Sequence, residues 1–228
     1  MCFSAEASFA SGALLIPAGA LAAVRVAKTD ARYTAISALP ALLGLQQLSE
    51  GFVWLAGAGD DRATVEIFSL IYMFFSWIAW PVWIPFSVYF IEPRHRRTIF
   101  VLFLIAGSML GALQYVPYFV HQGWLQTQFL SSAIAYSDIE LLDYLISRSA
   151  TYTLYLAVIV APLLIAADRN IRIFGALVAA VVLVRYLFFQ YAYISVFCFG
   201  GALVSGWLVY VAYCKLPVKP TEGTIAHS

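Results

Sequence analysis

Glu50 and Arg185 are the two ionisable residues that stand well inside long apolar stretches of this chain. A charge at the centre of a membrane-spanning helix costs about 2.5–3.5 kcal/mol on insertion scales, which makes such a residue a functional suspect. Gln46 and Gln47 precede Glu50 by one helical turn, so the three side chains share a face. Gly51, next in line, leaves room for another backbone to approach. Two kinds of chemistry fit this stripe. Glu50 and Arg185 can form a buried ion pair, with the glutamines adding hydrogen bonds that fix the helix arrangement. Alternatively, the stripe faces an outer cavity and holds a ligand, an ion or a proton, since a buried carboxylate with no partner becomes neutral.

The aromatic run from Tyr72 to Phe86 contains Trp77, Trp80 and Trp83, interrupted by Pro81 and Pro85. Each proline frees a carbonyl one turn earlier, which neighbours or water must satisfy. The run can wall a cavity or clasp a lipid, or it can be packing plus an interfacial belt.

Cys2 and Cys198 are both expected near the outer face, and Cys214 at the opposite end of the last helix. The outer pair can form a disulfide if their Cα atoms come within about 7 Å. They can also remain separate thiols, or form a metal site completed by Glu50 or His121. No metal or cofactor is identified by these residues. The histidines, His95, His121 and His227, all lie outside the spans, which argues against the multi-histidine zinc or di-iron sites of membrane enzymes. No Gly-x-Ser-x-Gly, Walker or His-Glu-x-x-His pattern is present. Lys215 lies at the end of the last helix, which disfavours a retinal Schiff base.

The elements that carry these residues follow from composition. The chain has 63% hydrophobic and 11% charged residues, whereas a soluble domain has about 25% charged residues. The apolar excess must face lipid, so the bilayer is the first partner. A net charge of +1 and the lack of a long basic run exclude a nucleic-acid binder.

Spans of about 20 apolar residues run from Ala7 to Val24, Thr34 to Ala56, Ile67 to Ile91, Thr98 to Val120 and Ala150 to Ala167. The stretch from Ile173 to Tyr213 is about twice a spanning length. It is divided near Gln190–Ser195 into helices six and seven, and a different fold there would leave six. Residues 1–214 then form one transmembrane domain and 215–228 a disordered cytoplasmic tail. The polar segment 121–148 is the one long loop. Ser137-Asp138-Ile139-Glu140 has the spacing of a capping box, which predicts a short interfacial helix there or an extension of helix five.

The positive-inside rule orients the bundle. One side receives Arg25, Lys28, Arg32, Arg94, Arg96, Arg97, Arg169, Arg172, Lys215 and Lys219, and the other only Arg62 and Arg148. The N-terminus is therefore expected outside and the C-terminus in the cytoplasm. The opening residues carry Glu6 and no Lys or Arg, unlike a cleavable signal peptide.

Four motifs resemble a family of bacterial multi-pass membrane proteins with no assigned function. They are Met1-Cys2-Phe3-Ser4, Gln46-Gln47-Leu48-x-Glu50-Gly51, Trp80-Pro81-Val82-Trp83-x-Pro85 and Ser195-Val196-Phe197-Cys198-Phe199. The resemblance implies a location and a helix count but no reaction. The sequence thus predicts an all-α, polytopic, seven-transmembrane-helix bundle in the cytoplasmic membrane. A transporter-like, outward-facing pocket of Gln46, Gln47, Glu50 and Arg185, walled by Trp77, Trp80 and Trp83, would bind or move a small molecule, an ion or a lipid. A thiol- or metal-dependent membrane enzyme at Cys2 and Cys198 is one alternative, and a structural or accessory subunit is another.

Overall fold

In the computed structural model, residues 4–121, 123–130, 133–138, 141–188 and 193–216 are described; of these, the side chains of 133, 137, 138, 185–188 and 193–199 are not. Ser4 caps the first helix, accepting a hydrogen bond from the Ala7 amide at 3.3 Å, so α1 runs Ala5–Thr29. Two short turns, Ala31–Tyr33 and Thr34–Ser37, precede α2, Leu39–Ala58. Pro40 sits in the first turn of α2, where its missing N–H costs nothing. Asp61 caps α3, Arg62–Ile91, by accepting from the Thr64 amide at 3.2 Å. Helix α4 spans Arg97–Tyr115 and is prolonged by a turn at Pro117–Val120. Ser147 caps α5, Arg148–Ile165, and α6 (Arg169–Phe188) and α7 (Tyr193–Tyr210) follow.

Among the described residues, four helices are long and apolar enough to cross a membrane: α1, α3, α4 with its flanking turns, and α5. Their outer faces are hydrocarbon. Leu14, Leu21, Leu102 and Met109 are all at least 60% exposed, a surface that water disfavours and lipid does not. The chain is a membrane protein. Half of the apolar window of α3 is buried, against 22% for α1, and α3 touches α2, α4 and α5. It is the central helix, and its residues Tyr72, Phe75, Trp77 and Trp80 lie in the core.

Pro81 sets the local geometry of α3. The turn Phe75–Ala79 is a π-turn, and the Trp80 amide donates to the Phe75 carbonyl five residues back. That shift deprives the Ser76 carbonyl of its usual donor, Trp80. The next amide in the π register would be residue 81, and proline has no N–H. The Tyr155 hydroxyl of α5 supplies the missing bond, donating to the Ser76 carbonyl at 2.7 Å.

Helix α4 covers the carbonyls at 77 and 81, the two that Pro81 and Pro85 would free in a regular helix. A Cβ at Gly111 would come within 2.1 Å of the Trp77 oxygen, and one at Gly107 within 2.2 Å of the Pro81 oxygen. Only glycine lets the two backbones approach so closely, in the manner of small-residue packing between membrane helices.

At one end of the bundle, arginines satisfy helix C-terminal carbonyls. Arg25 donates to the Ala212 carbonyl at 3.0 Å, Arg96 to Ile165 at 2.6 Å and Arg172 to Ala166 at 3.4 Å. Asp168 caps α6, accepting from the Asn170 and Ile171 amides, and takes a 2.6 Å hydrogen bond from the Tyr33 hydroxyl. Glu92 accepts from the Ala167 amide and lies 3.6 Å from Arg96.

The opposite end differs from expectation. The segment expected to carry a short interfacial helix instead forms an antiparallel hairpin, β1 (Leu125–Leu130) with β2 (Ala133–Asp138), Leu125 facing Asp138. Ser137 and Asp138 end a strand and do not open a helix, and a single 3-10 turn, Leu141–Tyr144, follows. Leu125-Gln126-Thr127-Gln128-Phe129 alternates with period two, a strand pattern that outweighs a four-residue capping signal. Of the stretch 190–195 expected to divide helices six and seven, 193–195 already belong to α7 and 190–192 lie outside the described residues, as does most of the tail, at 217–228.

Candidate functional site

Gln46, Gln47 and Glu50 are all completely buried on the inner face of α2. Gln46 is held at both ends of its amide. Its nitrogen donates to the Ser76 hydroxyl at 3.1 Å, and its oxygen accepts from the Trp80 indole N–H at 3.0 Å. Two residues outside the expected set, Ser76 and Tyr155, thus complete a chain from α2 through α3 to α5. Ser69, Tyr72 and Ser76 recur on α3 at helical spacing and are all buried, and this pattern is the signal in the sequence that points to Ser76.

The three tryptophans do not form one wall. Trp80 faces Gln46. Trp77 turns toward α4 and α5, donating to the Tyr118 hydroxyl at 3.2 Å and meeting the Tyr155 ring edge-on at 5.1 Å. Trp83 lies half-buried beside the turns before α2 and donates to the Ala35 carbonyl at 2.9 Å. Beside Glu50, Gly51 admits a side chain where a backbone was expected: a Cβ there would meet the Phe9 ring at 3.0 Å.

Among the described residues, one cavity lies near Gln46 and another at the hairpin end. A small apolar crevice lies below Gln46, lined by Leu43, Trp80, Ile84, Ile159 and Phe174, with room of about 30 Å³. A larger cavity of about 390 Å³ opens at the hairpin end, lined by residues that include Asp60, Glu66 and Ser69. Gln46, Gln47 and Glu50 line neither. The stripe is enclosed.

Arg185 belongs to α6, but its side chain lies outside the described residues, as does that of Cys198 in α7; Cys2 lies outside them altogether. Among the described residues, no three His, Cys, Asp or Glu side chains group closely enough to hold a metal ion. His121 is stacked on Trp124 at 4.2 Å, and Cys214 is an exposed free thiol.

The family described as a family of unknown function, DUF6629, matches residues 1–221, and the chain belongs to it. No curated protein and no solved structure matches the chain.

Proposed function

We propose a seven-span protein of the cytoplasmic membrane that binds or moves a small molecule, an ion or a lipid. The polar centre is Gln46, Gln47 and Glu50 in the outer half of the bundle, with Arg185 as the partner of Glu50 or as an anion contact. Seven spans are supported by α2, α6 and α7, whose lengths of 20, 20 and 18 residues suit a bilayer crossing beside the other four helices. The arginine-rich end is the cytoplasmic one by the positive-inside rule.

The observation that carries the reading is the complete enclosure of the Glu50 carboxyl group within a membrane protein. A carboxyl group in such a place is suited to exchange a proton or a cation with a ligand when the bundle opens. The stripe lines neither of the two cavities described above, which suits an occluded conformation.

Infrared difference spectra of the purified protein on either side of neutral pH test the proposal. A protonated-carboxyl stretch that titrates, shifts in heavy water and vanishes in Glu50→Gln is expected. A Glu50 signal indifferent to pH and to solvent exchange would refute it. The runner-up is a structural or accessory subunit, favoured by the hydrogen bonds at both ends of the Gln46 amide. It predicts that Glu50→Gln lowers thermal stability while no ligand alters it.

A further inference from the structure

The larger cavity has a construction of its own at the hairpin end of the bundle. Its volume of about 390 Å³ falls within the range of small-molecule sites, about 300–1,000 Å³. One wall is the corner between α2 and α3, and the other is strand β1. Two contacts hold the walls together. The Phe129 ring lies so close to Gly57 that a Cβ there would approach it to 2.1 Å, and it also meets the Trp54 ring at 5.8 Å. The hydroxyls of Ser69 and Thr127 lie 2.7 Å apart across the base, and Ser69 is completely buried.

The lining has a definite chemistry. Asp60 and Glu66 oppose a single guanidinium, Arg62, so the charged rim carries a net negative charge. At the base, one hydroxyl donates to the other and both keep oxygen lone pairs that can accept N–H bonds. Val65, Leu125 and Phe129 add hydrocarbon. A bare metal ion would leave most of this volume empty, and an organic anion would face the wrong charge.

We infer that this cavity is a binding site for small organic cations that carry a primary ammonium group on a short hydrocarbon body. The ammonium would be held between Glu66, Asp60 and the hydroxyl pair, with the hydrocarbon along Val65 and Leu125. The inference is independent of the membrane-core reading, since the cavity shares no residue with the Glu50 stripe.

Calorimetric titration of the detergent-purified full chain with n-butylamine, and separately with butyrate, tests it. Butylammonium is expected to bind at neutral pH and butyrate not to bind. Added salt should weaken the binding. Glu66→Gln, at an exposed position, should weaken it by about three- to fivefold, as for a solvent-exposed charge pair. Val65→Trp, which fills the cavity, should abolish it, and Glu50→Gln should leave it unchanged. Equal binding of both probes, no binding of either, or butylammonium binding that survives both Glu66→Gln and Val65→Trp would overturn the inference. Loss of binding in Glu50→Gln alone would move the site into the membrane core and overturn it as well.

Discussion

Replacing Tyr155 with phenylalanine removes one oxygen and little else, and the structure sets its cost. The Tyr155 hydroxyl is the donor to the Ser76 carbonyl, whose backbone donor is lost through the π-turn and Pro81. Leaving a buried acceptor unsatisfied costs about 1–3 kcal/mol in proteins generally. Hydrogen bonds between membrane helices have measured lower, about 0.6 kcal/mol on average and at most about 1.7. Because Ser76 is 3% exposed and water has little access, Tyr155→Phe should cost about 1–1.5 kcal/mol. Pro81→Ala supplies the decisive comparison. An alanine amide at 81 can donate to Ser76 in the π register, and a return to α register would give Ser76 the Trp80 amide. In either case the carbonyl regains a backbone donor, and Tyr155→Phe should then cost less than half as much. The assay is reversible unfolding in mixed micelles, followed by tryptophan fluorescence, for the wild type, both single variants and the double variant. The cycle should give a coupling of about 0.5–1 kcal/mol. Additive costs, or a neutral Tyr155→Phe, would refute the account of how Pro81 is tolerated.

Other outcomes follow from the same contacts. Gly111→Ala would push a methyl group against the Trp77 carbonyl, 2.1 Å away, and should destabilise the α3–α4 pair by about 1–3 kcal/mol. Gly206→Ala meets nothing within 4 Å and should be neutral or stabilising by up to about 1 kcal/mol, as read in the same unfolding assay. Burial first, and then the hydrogen bond to Asp168, keeps the Tyr33 hydroxyl neutral to higher pH than the ordinary tyrosine value of 10.0. That contribution to stability is whole below about pH 10 and is lost as pH rises toward the folded-state value. The wild type should therefore lose stability more steeply than Tyr33→Phe in alkaline titrations, and parallel profiles would count against the Tyr33–Asp168 contact. Glu50→Gln and Glu50→Asp should differ in binding or transport if the carboxyl group exchanges a proton; equal, full activity in both would remove that role.

Much of the architecture is legible along the chain because it depends on one-dimensional quantities. The length and purity of the apolar stretches mark α1, α3, α4 and α5 as membrane helices, since each must satisfy its backbone internally in lipid. The arginines that gather at one end are visible as a charge asymmetry, whereas the caps at Ser4, Asp61 and Ser147 start these helices two to five residues before the apolar stretches expected from hydropathy. Periodicity places Gln46, Gln47 and Glu50 on one face, and their joint burial bears this out. What periodicity lacks is the identity of the neighbour. Only tertiary packing decided that Trp80 meets Gln46 while Trp77 and Trp83 bond elsewhere; the π-turn at Phe75–Ala79 changes the rotation between Trp77 and Trp80, and Trp83 finds the Ala35 carbonyl. It also decided that Tyr155 and the two glycines of α4 would attend to the backbone around the prolines, since a freed carbonyl takes whichever group the fold brings near. The hairpin was chosen over a helix in the long loop for a similar reason. A strand with Phe129 and Thr127 on one side could close on Gly57 and Ser69, and those partners lie far away in sequence.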